Sequence, residues 1–165
     1  DFAKPGEPTF DLIQINKTVE DALNLSAVTL RKRGIEIEKD FDDNIPVCYA
    51  EPNLIEVAVL NLLNNAAEAM HKMKMHKKIV VSSGGTGNYI FIKVSDSGPG
   101  VPAELRNKIF DPFFTTKHDG TGIGLSLCHR IATDHNGVLV VDKGILGGAE
   151  FRIEIPIRKD VLSSD

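Results

Sequence analysis

The chain has 165 residues, a length that suits one compact domain with a core of its own. Hydrophobic residues make up 42% of it and charged residues 25%, which is ordinary for a soluble globular protein. The net charge of −4 argues against a nucleic-acid-binding surface, and the sequence lacks an apolar run of the about 20 residues that a membrane span requires.

The first third of the chain predicts a connector, a helix and three short strands. Residues 1–8 are rich in proline and are interpreted as an extended connector that leaves another domain. The helix is expected to be capped at Asn16 or Thr18 and to be closed by Gly34. The short strands are predicted over residues 9–15, 35–38 and 46–49.

The remainder predicts a long helix that begins at Pro52, two further helices and two pairs of strands. The further helices are expected over residues 103–109 and 122–135. The strands are expected over residues 79–83, 89–95, 137–142 and 149–157, with the first two forming an antiparallel hairpin. Together the elements predict an α/β (α+β) two-layer sandwich, in which a mixed, mostly antiparallel sheet packs on about three helices. The domain is expected to span residues 9–158, followed by a tail over 159–165.

Two cysteines, Cys48 and Cys128, occur without metal-ligand spacing. They are interpreted as small buried apolar residues of a cytoplasmic, reduced protein. Because of the net charge and the lack of a long apolar run, the expected partners of this domain exclude nucleic acid and a membrane surface. A larger parent protein that contains the domain would be compatible with a membrane anchor.

An unusual amide-rich face is predicted on the long helix. Asn61, Asn65 and Glu68 lie at positions i, i+4 and i+7, so that they share one side of the helix. Asparagine is a mediocre helix former, and its amide oxygen is a hard neutral ligand that can complete the octahedral shell of Mg²⁺. The alternative is an ordinary solvated face.

A carboxylate and two glycines follow the predicted strand 89–95. Asp96 is placed to accept a hydrogen bond from an exocyclic amine such as that of adenine. Gly98 and Gly100 would let a flat base approach the backbone closely. The alternative for this segment taken alone is a simple Asp-Ser-Gly turn.

Two further segments predict contacts with phosphate. Gly120, Gly122 and Gly124 alternate where a helix opens, and free backbone N–H groups there favour an anion. The preceding loop, residues 110–117, contains adjacent phenylalanines that suit a mobile lid over a pocket, or a surface that docks a partner. A loop pinned to the core by its aromatic rings is the alternative. In a lid, the phosphate contacts would come from Thr115, Thr116 and Lys117.

In their order and spacing these segments resemble the catalytic ATP-binding domain of bacterial two-component sensor histidine kinases. That family is part of a wider group with gyrase B, the Hsp90 chaperones and the MutL proteins. Residues 61–69 resemble its N box, and 96–100 and 120–127 its two glycine boxes, with 110–117 similar to the F box. The resemblance implies a Bergerat-type ATP-binding fold, with ATP and Mg²⁺ as cofactors.

The resemblance also implies roles for particular residues. Asn65 would be the Mg²⁺ ligand with Asn61 as its support, and Asp96 would accept from adenine. Asn61, Asn65 and Lys117 are the expected catalytic residues. The expected nucleotide-binding residues are Asn61, Asn65, Asp96, Gly98, Gly100, Phe113, Thr115, Thr116, Lys117, Gly120, Thr121, Gly122, Ile123, Gly124 and Leu125. At Ala149 the family often carries threonine, so one adenine contact of the family lacks its hydroxyl here.

The identity of residue 61 separates a kinase from a hydrolase. Clamp-type ATPases of the same group carry glutamate four residues before the Mg²⁺ asparagine, whereas this chain has Asn61. Because an amide is not a general base near neutral pH, the pocket is expected to hold ATP without rapid hydrolysis. This favours transfer of the γ-phosphoryl group to a histidine. A clamp ATPase, or a nucleotide-binding regulatory module without transfer activity, is the alternative.

The phosphoacceptor is expected to lie in a separate dimerisation domain, with a response regulator as the next partner. The five histidines of this chain are scattered, and none forms a His-Glu or His-Asp pair within a predicted helix. His129 and His135 are interpreted as ordinary residues of the last helix. The chain is accordingly interpreted as the catalytic portion only.

Overall fold

The computed structural model describes residues 9–111 and 124–157. The helices are α1 (Ile15–Lys32), α2 (Pro52–Ala69) and α3 (Gly124–Asp134). The strands are β1 (Asp11–Ile13), β2 (Glu36–Asp40), β3 (Cys48–Ala50), β4 (Lys78–Gly85), β5 (Tyr89–Asp96), β6 (Val138–Lys143) and β7 (Ala149–Pro156). The predicted connector (residues 1–8) and tail (residues 159–165) lie outside the described residues, so those domain limits stay predictions.

Five strands form one sheet in the order β2-β4-β5-β7-β6, and β1 pairs with β3 in a separate two-stranded sheet. The β2–β4 pair is parallel, and the other neighbours are antiparallel. Strand β7 buries alternate residues, β5 does so over most of its length, and β4 buries three successive residues, 79–81. Helices α2 and α3 pack against the sheet. The predicted two-layer sandwich with a mixed, mostly antiparallel sheet is therefore confirmed.

The N-terminal cap of α1 differs from the prediction. Gln14 is the cap, and its side chain accepts from the Asn16 N–H at 3.2 Å. Asn16 does not cap the helix because its side-chain amide is bonded elsewhere. The Nδ2 group donates to the Asp42 carbonyl at 2.9 Å, and Oδ1 accepts from the Ser83 hydroxyl at 2.7 Å. The predicted end is confirmed, since Gly34 has φ +76° and donates to the Arg31 carbonyl.

Helix α2 begins at Pro52, as predicted, and Glu51 caps it by accepting from the N–H groups of Asn53 and Leu54. Its apolar stripe is buried, and each large side chain in it contributes about 1.5–3 kcal/mol relative to exposure. The buried residues are Ile55, Ala58, Val59, Leu62, Leu63, Ala66 and Ala67. The same helix therefore presents its polar face away from the core.

The predicted hairpin is confirmed, with Ile79 of β4 opposite Asp96 of β5. The predicted short helix is wrong in extent, because the structure has a 3₁₀ turn over Ala103–Leu105. It continues as hydrogen-bonded turns in which the Ile109 N–H donates to the Leu105 carbonyl. The proline at its start supplies no N–H, and isolated turns of this kind seldom extend beyond a few residues.

Both cysteines are fully buried and free, as expected. Burial raises the pKa of the Cys48 thiol to about 11 and that of the Cys128 thiol to about 12. Both thiols are therefore protonated near neutral pH and serve as packing groups. No helix in the described part of the chain is long and apolar enough to cross a membrane.

Candidate nucleotide site

The carboxylate of Asp96 ends the second strand of the hairpin, in the middle of the sheet. Its side chain is 1% exposed, and Oδ1 accepts from the Gly98 N–H at 2.8 Å and from the Ala149 N–H at 3.3 Å. Burial raises the pKa of this carboxyl, and the two backbone donors partly oppose that shift. The two donors fix the orientation of the carboxylate, and Oδ2 takes part in neither bond.

A residue that the sequence interpretation missed, Gly148, determines how closely the β6–β7 turn approaches Asp96. A Cβ at this position would overlap the backbone oxygen and Oδ1 of Asp96, and would lie 2.7 Å from the Gly98 nitrogen. Only glycine permits the Ala149 N–H to reach the carboxylate. The Gly147-Gly148 pair before the last strand was the available signal, but it predicts only a turn.

Replacing Gly148 with alanine should displace the Asp96 turn and weaken adenine nucleotide binding. The clash is with backbone atoms, so relief requires movement of the turn itself, and we expect a loss of about 1–3 kcal/mol in the free energy of unfolding. Calorimetric titration with ATP and urea unfolding measure the two effects.

Gly87→Ala is the matched control, because a Cβ on Gly87 has no heavy atom within 4 Å. This variant should match the wild type in both measurements. Equal behaviour of the two alanine variants would show that the approach of Gly148 to Asp96 is unimportant.

The amide face of α2 lies beside the start of α3. Asn61 and Asn65 are both partly buried on this face, and the Asn61 Nδ2 donates to the Val57 carbonyl at 2.9 Å. The Asn61 Oδ1 lies 3.2 Å from the position that a Cβ on Gly124 would occupy. Asn64, in contrast, lines a groove of about 230 Å³ between α1 and α2, so it faces away from Gly124.

The other end of α2 reaches the Asp96 turn. A Cβ on Gly98 would lie 3.3 Å from the Met70 Cγ and 3.4 Å from the Ala69 carbonyl oxygen. The Ser97 hydroxyl oxygen also lies 3.3 Å from the Met70 sulfur. Helix α2 thus contacts the Asp96 turn at its C-terminal end and the first residue of α3 on its amide face.

Part of the predicted site lies outside the described residues. This applies to Phe113, Thr115, Thr116, Lys117, Gly120, Thr121, Gly122 and Ile123. Within the described ranges, Gly98, Gly100, Gly124 and Leu125 are partly exposed. Gly100 has φ +81°, a conformation that favours glycine.

The ligand types among the described residues bear on how this site would hold a metal ion. No group of three or more His, Cys, Asp or Glu side chains in residues 9–111 and 124–157 is arranged to hold a metal ion. A single amide oxygen such as that of Asn65 is a ligand type that fits Mg²⁺ when the other ligands come from phosphate and water. The donor set therefore suits a metal that arrives with a nucleotide.

Residues 50–159 match the family model of histidine kinase-, DNA gyrase B- and HSP90-like ATPases. The chain belongs to this family. Among curated ATPases of this kind, the sensor histidine kinase ZraS of Escherichia coli (strain K12) is 31% identical over 163 residues. That match covers 97% of this chain and 34% of ZraS, so the chain spans about a third of its relative.

Solved structures of the family share the fold. The catalytic domain of histidine kinase ThkA superposes with a TM-score of 0.80 at 33% identity, covering 90% of this chain and 98% of that domain. A crystal structure of ThkA in complex with response regulator TrrA matches with a TM-score of 0.77 at 31% identity, covering 90% of this chain and 42% of that chain. The predicted resemblance to the ATP-binding domain of sensor histidine kinases is confirmed.

Proposed function

We propose that this domain binds ATP with Mg²⁺ and transfers the γ-phosphoryl group to a histidine in a separate dimerisation domain of the same sensor kinase. The bond between the γ-phosphorus and the bridging oxygen breaks, a P–N bond forms to the imidazole, and ADP leaves. A response regulator would take the phosphoryl group next. The reported complex of ThkA with TrrA supports that partner class. A cytoplasmic location stays a prediction.

The observation that carries this proposal is the amide at residue 61. Asn61 lies one helical turn before Asn65, and its Oδ1 faces Gly124 at the start of α3. A carboxylate at this position would be a base for water in the related clamp ATPases, whereas an amide cannot accept a proton near neutral pH. The site is therefore suited to hold ATP until a stronger nucleophile arrives.

The remaining roles are proposed from the motifs of the family, with the contacts of Asp96 as further support. Asp96 would accept from the adenine amine through Oδ2, because Oδ1 is already bound to two backbone donors. Asn65 would hold Mg²⁺, which neutralises charge on the transferring phosphoryl group. We also propose that Lys117 and the backbone of residues 120–124 contact the phosphates. Catalysis would come mainly from positioning and electrostatics.

Mixing the wild-type domain with γ-labelled ATP, Mg²⁺ and the histidine-bearing helical domain of a sensor kinase should yield an acid-labile phosphoryl adduct. Without the helical domain, ATP turnover should be slow, about 10²–10⁴-fold below that of a comparable site with a general base. Thin-layer analysis of released phosphate measures the turnover.

Two results would identify the alternatives. Turnover of many ATP molecules per second by the domain alone would favour a clamp ATPase. Tight ATP binding with neither turnover nor adduct, using an acceptor that a known kinase does phosphorylate, would favour a regulatory module.

A further inference from the structure

A buried imidazole lies at the end of α2 that is remote from the amide face. His135 is 3% exposed, with Nε2 accepting from the Glu51 N–H at 3.1 Å and Nδ1 2.7 Å from the Ile131 carbonyl oxygen. A backbone N–H only donates and a carbonyl only accepts, so Nε2 must be unprotonated and Nδ1 must carry the proton. His135 directly follows Asp134, the last residue of α3, so the last helix ends one residue earlier than predicted.

The partner of His135 has a structural role of its own. Glu51 is 6% exposed and caps α2, and its carboxylate also accepts from the Thr9 N–H at 3.3 Å. The ring of Phe10 packs against the imidazole with centroids 4.9 Å apart and stacks on Tyr49 at 5.5 Å. His135 thus joins the end of α3, the start of α2 and the segment that leads into β1.

Helices α2 and α3 run antiparallel and touch along their length. Beyond the His135–Glu51 bond, the Cys128 thiol donates to the Ala58 carbonyl at 3.4 Å. At the far end, Gly124 lies against Asn61. Because α3 has 11 residues and a helix rises 1.5 Å per residue, these contacts span about 16 Å of stiff helix. A shift of α2 at Glu51 is therefore expected to displace Asn61 as well.

We propose that His135 is a positioning residue for the nucleotide site. By binding the Glu51 N–H it fixes the start of α2 against the end of α3, and so sets where Asn61 and Asn65 stand relative to Gly124. The consequence for ATP rests on the function proposed above, whereas the positioning itself does not. The competing explanation is that the imidazole only fills space.

Two conservative substitutions separate these explanations. The amide oxygen of glutamine reaches the place of Nε2 and accepts from the Glu51 N–H. The shorter asparagine side chain reaches only as far as Nδ1, where its NH₂ group donates to the Ile131 carbonyl. His135→Asn should weaken binding of Mg·ATP about tenfold in calorimetry, because it leaves a buried N–H without an acceptor. His135→Gln should stay within about twofold of the wild type. The exposed His71→Asn serves as the control for loss of an imidazole.

Nuclear magnetic resonance without nucleotide tests the positioning directly. We expect the wild-type imidazole of His135 to carry its proton on Nδ1. The side-chain amide signals of Asn61 and Asn65 should move in His135→Asn and return toward their wild-type positions in His135→Gln. The amide signals are compared only in folded protein. The tautomer is measured in the wild type, so this measurement remains decisive even if the asparagine variant folds poorly.

An imidazole protonated on Nε2, or amide signals and affinities that respond equally to glutamine and asparagine, would overturn the positioning role. A wild-type domain that shows the expected signals but fails to bind Mg·ATP would instead overturn the proposed function. The two failures are therefore distinguishable.

Discussion

Replacing Asp96 with asparagine should weaken binding of adenine nucleotides by about ten- to 150-fold and, at the same time, stabilise the empty domain at neutral pH. The N–H groups of Gly98 and Ala149 hold the side-chain oxygen, so the new NH₂ must occupy the place of Oδ2. A donor then faces the adenine amine, which is also a donor. Losing a hydrogen bond to a charged group costs about 1.5–3 kcal/mol, or about ten- to 150-fold in Kd.

The gain in stability follows from the direction of the pKa shift. Burial raises the pKa of Asp96 above its ordinary value of 3.8, so the folded protein holds this proton more tightly than the unfolded chain. The resulting stabilisation is fully present below pH 3.8 and is lost as pH rises through the folded pKa. The asparagine of Asp96→Asn does not titrate, so the variant does not lose stability in this way. The free energy of unfolding of the variant relative to the wild type should therefore rise from pH 3.8 through the folded pKa and then level off.

Urea unfolding at several pH values and calorimetric titration with ATP check the two expectations. Asp43→Asn makes the same change in net charge at an exposed position and should leave both unchanged. Wild-type affinity in Asp96→Asn would refute the assignment of this carboxylate to adenine.

Replacing Asn65 with alanine should strongly slow Mg²⁺-dependent phosphoryl transfer. Removal of a single preorganised electrostatic group from an active site typically costs about 10²–10³-fold in rate, and we expect a loss of that size. Because Asp96 is untouched, adenine nucleotide should still bind in the absence of Mg²⁺. Single-turnover transfer to the histidine-bearing domain measures the rate.

Asn64→Ala is the matched control for this variant. Asn64 is the neighbour of Asn65, is exposed and lies in the groove between α1 and α2. Its replacement by alanine therefore truncates an asparagine without changing the amide face. The control should transfer at the wild-type rate. Transfer at the wild-type rate by Asn65→Ala itself would contradict the metal role.

Features of local origin were predictable from the sequence. Pro52 at the first turn of α2, Gly34 after α1 and the apolar stripe of α2 depend on neighbours within a few residues, and each was confirmed. The Asp96 turn was located correctly for the same reason. The cap of α1 was wrong because Asn16 bonds to Ser83, a residue 67 positions away.

The contacts that define the site beyond its motifs were not predictable. Gly148 acts on Asp96 through a close approach of two turns, and His135 acts through Glu51, 84 residues earlier in the chain. A glycine pair and a histidine near a helix end are common in any sequence, so each carries a weak local signal. Their importance comes from the pairing of β5 with β7 and of α2 with α3, which only the folded chain displays.

The edge of the sheet at β2 bears on how the domain behaves when copies of it are close together. Four of the five residues of this strand are charged, and all four are exposed. An edge strand has unpaired backbone groups that can add a strand from another molecule and start aggregation, and charged side chains oppose this. The edge formed by Glu36, Glu38, Lys39 and Asp40 should therefore keep neighbouring copies from joining their sheets at high concentration.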